Sequence, residues 1–299
     1  MTTVLCAGVA VIDFVMSLDE MPRRAEKYRA KDAAIVGGGC AANSAVAVAR
    51  LGGKALLASR LGADAVGDMI IADIESEGVD CRFAKRFEGK RSSFSSVFVD
   101  RDGERQIVNF RDETLARDAG WLERAELPHF DSALADTRWP EGAEALMRLA
   151  RERKKPAIMD VEAPVEIAIS ALKAASHLAF SEQGLREFSG KADILSGLHY
   201  ALDFAPEAFV CVTQGEDGVS WLEEGVVRHD AGFRVTVADT LGAGDIWHGA
   251  FALALGEGRR EAEAIRLANA AAAIKCTRFG GRSGAPTRAE VEEFLREKS

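Results

Sequence analysis

The chain has 299 residues, is 47% hydrophobic, and sets 38 Lys and Arg against 47 Asp and Glu for a formal net charge of −9. This length and apolar content suit one large α/β domain, with enough core material to fold without staples. The acidic balance argues against nucleic acid and anionic membrane as main partners, but leaves room for a local basic pocket.

Cys6, Cys40, Cys81, Cys211 and Cys276 are scattered, odd in number and form no C-x-x-C pair, so buried reduced thiols in a cytoplasmic protein are expected. The five histidines show no zinc-site spacing. A basic leader is lacking and Asp13 interrupts the apolar run Val4–Met16, so neither a signal peptide nor a membrane span is expected.

In chain order, Val4–Val11 reads as a buried strand ended by Asp13. The polar stretch Phe14–Ile35 reads as short strands and turns. Gly37-Gly38-Gly39 opens an alanine-rich helix predicted from Cys40 through Leu51 and stopped by Gly52-Gly53. The buried strand Ala55–Ser59 precedes a helix predicted over Asp64–Gly78. Arg91–Phe110 alternates polar and apolar residues about Asp102-Gly103, the pattern of a hairpin. After residue 115, strands at Ala133–Ala135, Ala157–Asp160 and His177–Phe180 alternate with helices at Glu141–Arg153, Val165–Ala174 and Gln183–Phe188, and another strand begins at Ala208. This rhythm predicts a mainly parallel sheet with helices on both faces. The hairpin-rich segments 14–35 and 91–112 are expected to meet as a small β lid beside the core, all within one domain spanning 1–299.

Residues 239–249, Asp-Thr-Leu-Gly-Ala-Gly-Asp-Ile-Trp-His-Gly, are the most informative stretch. A β-rich run, Phe233–Ala238, leads in and an apolar helical run, Ile246–Leu255, leads out. Gly242, Ala243 and Gly244 therefore sit at a helix start, where unpaired amides and the helix dipole favour an anion. Asp245 would repel a bound phosphate. Aimed at a hydroxyl beside a transferring phosphoryl group, it has the layout of a kinase base. Asp is also a common helix cap, and the motif alone leaves both readings open. Trp247 breaks the dinucleotide fingerprint, and no Gly-Lys-Ser/Thr tripeptide exists for a Walker A loop.

Other candidates fall where parallel sheets bind ligands, at the carboxyl ends of strands. Asp13, and Asn43 beyond Gly38 and Gly39, suit a polyol, though a turn residue and a backbone-bonded helix residue read equally well. Thr213, Gly215 and Gly218 lie in a turn able to approach a nucleotide. Asn269 opens a small-residue helical run that suits a flat ring or another helix. Gly280 lies in a second glycine-rich loop. Lys27 and Asn109 in the lid segments, with Arg138 after the strand at 133–135, would form an anion pocket only if the fold brought them together.

Gly37–Asn43 and Asp239–Asp245, in this order and about 200 residues apart, resemble the two signatures of the ribokinase-like (PfkB-type) carbohydrate kinases. The likeness spans nearly the whole chain. It implies a Rossmann-like ribokinase fold, a β lid, and ATP-dependent phosphorylation of a sugar hydroxyl. It implies Asp245 as base, Gly242, Ala243 and Gly244 as the anion hole, and Asp13, Gly38, Gly39 and Asn43 on the sugar. Ser181, Glu182, Thr213, Gly215, Gly218, Asn269 and Gly280 fall on the nucleotide side. The family's Asn-x-x-Glu magnesium motif corresponds to Ser181-Glu182-Gln183-Gly184, which leaves Glu182 as the candidate Mg²⁺ ligand; Asp239 suggests part of a K⁺ site.

Within the family, Ile35–Ala49, Leu134–Trp139, Phe180–Glu182, Val212–Gly215 and Lys275–Arg278 resemble bacterial 6-deoxy-6-sulfofructose kinases. This implies that Lys27, Asn109 and Arg138 hold a sulfonate while the C1 hydroxyl is phosphorylated. Such kinases pair lid to lid, which implies a homodimer; the apolar run Phe94–Phe98 is compatible with one. Fructokinase, fructose 6-phosphate kinase, ketodeoxygluconate kinase, nucleoside kinase and a non-catalytic sugar-binding protein are the alternatives.

Overall fold

In a computed structural model that describes residues 1–102 and 104–298, thirteen strands and ten α-helices form two sheets with flanking helices. The strands are β1 (Thr3–Ala7), β2 (Val11–Ser17), β3 (Asp32–Gly38), β4 (Lys54–Gly62), β5 (Asp80–Phe87), β6 (Phe94–Val99), β7 (Arg105–Phe110), β8 (Ser132–Asp136), β9 (Ala157–Val161), β10 (His177–Ser181), β11 (Phe209–Thr213), β12 (Val219–Glu223) and β13 (Val226–Asp230). The helices are α1 (Cys40–Arg50), α2 (Ala65–Ser76), α3 (Gly120–Glu123), α4 (Pro140–Glu152), α5 (Ile169–Ala174), α6 (Glu182–Ser189), α7 (Ile194–Phe204), α8 (Ala243–Gly256), α9 (Glu261–Cys276) and α10 (Arg288–Glu297).

The large sheet has the order β13-β12-β11-β10-β9-β8-β1-β4-β5 and is parallel except at the β11-β12-β13 edge. Its central strands are buried from end to end, as in TVLCA of β1 and AIMDV of β9, because helices cover both faces. Alternation then sorts the side chains. Val4 and Cys6 pack with α1, α8 and α9 on one side, while Leu5 and Ala7 pack with α4 and its neighbours on the other. No helix among the described residues is long and apolar enough to cross a membrane.

The segments 14–35 and 91–112 do meet, in a second sheet of order β3-β2-β6-β7. β2 runs parallel to β6 and the other two pairings are antiparallel. The predicted hairpin turn lies between β6 and β7; its Gly103 falls outside the described residues.

The expected single strand Val4–Val11 is in fact two. The chain leaves the large sheet at Gly8, where a Cβ would strike the Asp136 carboxylate, and β2 belongs to the small sheet. Asp13 consequently lies inside a strand rather than after one. Phe233–Ala238 is also not a strand. It crosses beyond the sheet edge without a ladder partner, fastened by the Ala238 amide to Cys276 O and by Phe233 against Arg266 and Phe294. The five cysteines are unpaired, with Cys6, Cys81 and Cys211 buried and Cys40 and Cys276 partly exposed.

Candidate active site

The start of α8 is where the site is built. Gly242 has φ 75°, a left-handed conformation suited to glycine, and turns the chain into the helix. The Ala243 amide donates to Thr240 O, but the amides of Gly242, Gly244 and Asp245 have no hydrogen-bond partner among the described residues. No atom lies within 4 Å of where a Cβ on Gly244 would be, so a ligand oxygen can reach this backbone. Of the three amides expected in the anion hole, Ala243's is therefore already engaged, and Asp245's own amide is available.

The Asp245 side chain does not cap its helix. Oδ2 accepts a 2.6 Å hydrogen bond from Asn43 Nδ2, and its backbone oxygen accepts from Ser44 Oγ at 2.9 Å. The two sequence signatures are thus joined in space by one short hydrogen bond between α1 and α8. Arg282 holds the far side of Asn43, donating to Oδ1 at 3.4 Å, and is itself paired with Asp73.

Behind Asp245 lies a buried acidic cluster that sequence reasoning missed. Asp160, at the end of β9, faces His248 of α8 with Oδ1 3.1 Å from Nε2, both side chains nearly inaccessible. The contact is a charge pair without aligned hydrogen bonds: both Asp160 oxygens and His248 Nδ1 lack a hydrogen-bond partner. Donor atoms of Asp160, Cys40 and Asp245 lie within 4.8 Å of one another. Glu162 follows on the same strand end, 3.3 Å from the Arg138 guanidinium. Burial, reinforced by Asp160 and Glu162, pushes the Asp245 carboxyl up to about 8, against the lowering effect of Asn43 and His248. Asp160 and Glu162 in turn raise His248 and outweigh the cost of its burial. The available signal was an acid closing a buried strand, the same logic that singled out Asp13.

Asp13, Ser95 and Asn109 stand in register across β2, β6 and β7, with Asn109 Nδ2 donating to Ser95 Oγ at 3.1 Å. A Cβ on Gly38 would lie 3.3 Å from Asp13 Oδ2, and one on Gly39 (φ 96°) would strike Val9 O. Both glycines therefore permit close approach of backbone at the acceptor side. Asp136 organises the same corner, accepting from the amides of Val9, Ala41 and Arg138. Burial raises its carboxyl to about 6 despite these donors. Arg138 also donates to Ala163 O at 2.8 Å. Lys27 is not brought to it. Lys27 is exposed in the β2–β3 connection, without a hydrogen bond or ion pair among the described residues, and Asn109 bonds within the small sheet.

On the opposite side of α8, a cleft of about 570 Å³ is lined by Thr213, Gly215, Gly218, Ala243, Gly244 and Asn269. Its small residues leave room for a flat group, and the turn with the free Gly244 amide lies on its wall. Asn269 also has a structural task, accepting from Trp247 Nε1 at 2.8 Å and donating to Asp230 at 2.7 Å. Ser181 and Glu182 do not line this cleft. Ser181 Oγ caps α6 by accepting from the Gly184 amide, and Glu182 pairs with Arg186 on the surface. Gly280 bonds to Asp239 instead of lining the cleft.

Asp239, the candidate K⁺ ligand, is engaged by donors of the protein itself. Its carboxylate accepts from the Leu241, Gly280 and Gly281 amides and from the Lys275 ammonium, 3.0 Å away and fully buried. Although burial works against ionisation, these donors hold Asp239 below the usual carboxylate range.

A base-type carboxylate, free amides beside it and an adjoining cleft are the parts of a phosphoryl-transfer site. The pfkB family carbohydrate kinase profile matches residues 1–288. The chain belongs to this family. It is a carbohydrate kinase, a phosphotransferase that uses ATP and a sugar hydroxyl. Ribokinase of Bacillus subtilis is 29% identical over 99% of this kinase and 100% of its own length. A fructokinase of Arabidopsis thaliana, named as probable, is 26% identical over 88% of this chain and 89% of its own. Among solved structures, a protein provisionally named ribokinase from Agrobacterium tumefaciens superposes with TM-score 0.90, 38% identity and coverage of 99% and 98%. Ribokinase from Thermotoga maritima superposes with TM-score 0.84, 27% identity and coverage of 99% and 100%.

Proposed function

We propose that this kinase phosphorylates the C1 hydroxyl of 6-deoxy-6-sulfofructose. The observation that carries the reading is Arg138. It is fixed by Asp136, Ala163 and Glu162 on the acceptor side of the cleft, where a cation can engage an anionic sugar. Asp13, Gly38, Gly39 and Asn43 hold the sugar hydroxyls, and Asn109 and Lys27 join Arg138 as the small sheet closes over the sugar as a lid. The adenine nucleotide lies in the cleft of Thr213, Gly215 and Gly218, with its terminal phosphate at Gly242–Gly244.

In the reaction, the sugar oxygen attacks the γ-phosphorus, the bond from that phosphorus to the ADP oxygen breaks, and Asp245 takes the hydroxyl proton. The free amides beside Asp245 bear the charge that develops on the phosphoryl oxygens. The residues present also fit Mg²⁺: the unpartnered Asp160 oxygens and the neighbouring Glu162 are hard oxygen donors. They would hold the ion in place of Glu182, and the ion would supply neutralisation of nucleotide charge.

Relatives named ribokinase and fructokinase favour a second reading, in which the acceptor is a neutral pentose or ketohexose. Assaying ADP release with sulfofructose, fructose 6-phosphate, fructose and ribose side by side separates the two. A higher kcat/KM on fructose or ribose than on sulfofructose overturns the first reading. Exposed Ile35 and Val108, on one face of the small sheet, suit burial against a second copy of the chain, giving a homodimer.

A further inference from the structure

Past Arg138 the acceptor side opens into a chamber of about 510 Å³ bordered by Gly8, Val9 and Ala10. It adjoins the sugar loop, because Gly39 packs on Val9 and Ala10. Four arginines line it: Arg60 on β4, Arg111 and Arg117 in the connection from β7 to α3, and Arg138 after β8. Arg60 is fixed, donating to Ala116 O at 3.0 Å and stacked 5.2 Å over the Trp139 ring. Arg111 and Arg117 are exposed, and neither side chain has a hydrogen bond or ion pair among the described residues.

The chamber also holds three acids, and they do not cancel this charge equally. Asp112 is occupied by the Arg91 and Thr114 amides and the Thr114 hydroxyl. Glu113 is exposed. Glu141 contributes a buried Oε2 with no donor. Burial weakens the charged form of Arg60; Glu141 and Asp136 offset part of this, while Arg117 and Arg111 add repulsion that a bound anion would relieve. The unspent groups are thus two cationic forks and one buried acceptor, which match an oxyanion adjacent to a hydroxyl.

We propose that Arg60, Arg111 and Arg117 act with Arg138 as the specificity set for the acceptor, binding an anionic substituent remote from the hydroxyl that is phosphorylated. Glu141 accepts from a neighbouring hydroxyl of the same sugar. The inference rests on the sugar-kinase reading above and enlarges its anion site beyond Lys27, Asn109 and Arg138. Sulfonate, phosphate and carboxylate share the required chemistry.

The test compares wild type with the double variant Arg111→Gln/Arg117→Gln, whose unbonded side chains support no part of the scaffold. kcat/KM is measured on sulfofructose, fructose 6-phosphate, ketodeoxygluconate and fructose, and binding of each is titrated calorimetrically without ATP. The expected result is a wild-type preference for one anionic acceptor over fructose. The variant is expected to reduce that preference by about tenfold to a hundredfold, the range of one or two charge-assisted contacts. Added salt is expected to reduce it in wild type as well. Equal losses on charged and neutral acceptors, or a wild type that binds fructose as tightly as every anionic sugar, overturn the proposal. Binding of an anionic sugar without ADP release from any acceptor would instead overturn the kinase reading and leave the chamber standing.

Discussion

Asp245, as the proposed base, combines two properties that pull against each other: in that role it acts only when deprotonated, and its surroundings resist the charge. A base with a carboxyl near 8 is active only when ionised, so kcat/KM is expected to fall as pH drops below about 8. A pH profile governed instead by a group near 4 would show that Asp245 is not the titrating base. The same shift bears on stability. A carboxyl raised above its unfolded value favours the folded state least when ionised, so its contribution is present below pH 4 and is lost on passing upward towards 8. Asp245→Asn is therefore expected to raise Tm relative to wild type more at pH 9 than at pH 5, while kcat falls by about 10²–10⁴. Asp245 and Asn43 were legible in the sequence because each lies in the first turn of a helix that a glycine-rich turn introduces. Asp160, Glu162, His248 and Arg282 were not, since strand order and helix packing alone bring them to the same corner.

At the scale of elements, α9 supplies a fixed cation to the loop before α8. Lys275 bonds both the backbone oxygen and the carboxylate of Asp239. Exchanging NaCl for KCl at constant ionic strength is expected to leave kcat unchanged. Lys275→Ala, which strands a buried carboxylate, is expected to lower both stability and turnover; a wild type that needs K⁺ would refute this account of the loop. Asp136 plays the corresponding part for β1, α1 and β8. Its loss in Asp136→Ala orphans three amides and is expected to cost about 3–5 kcal/mol in urea unfolding. The helices at α1 and α2 followed from an alanine-rich run and glycine stops, whereas α3, α7 and α10 were not read from the sequence. The break at Gly8 did not, because an apolar run continues through it and only the Asp136 contact in the folded chain shows why the strand must end. Phe233–Ala238 failed in the opposite sense: its β-type composition was real, but the sheet edge offered no partner.

For the whole molecule, the cleft at Ala243 and Gly244 of α8 and the chamber bordered by Gly8, Val9 and Ala10 are separate cavities, to which the proposal assigns the nucleotide and the acceptor's anionic end. Alternating strands and helices made the large sheet readable, and the two separated polar segments made the small one readable. The arginine chamber was not, because Arg60, Arg111 and Arg117 belong to no motif and converge only through tertiary structure. The apolar surface of the small sheet leads to a further expectation. Wild type is expected to sediment as a dimer and Ile35→Lys/Val108→Lys as a monomer; a monomeric wild type would remove the dimer proposal.

The central claim is that this fold transfers phosphoryl from ATP to a sugar with Asp245 as base. Its most direct test is ADP release over the panel of sulfofructose, fructose 6-phosphate, fructose and ribose, for wild type and Asp245→Asn together. The account predicts turnover highest on sulfofructose, a product phosphorylated at C1, and loss of at least about a hundredfold in kcat in the variant. Turnover on no sugar, or near-normal kcat in Asp245→Asn, would contradict it.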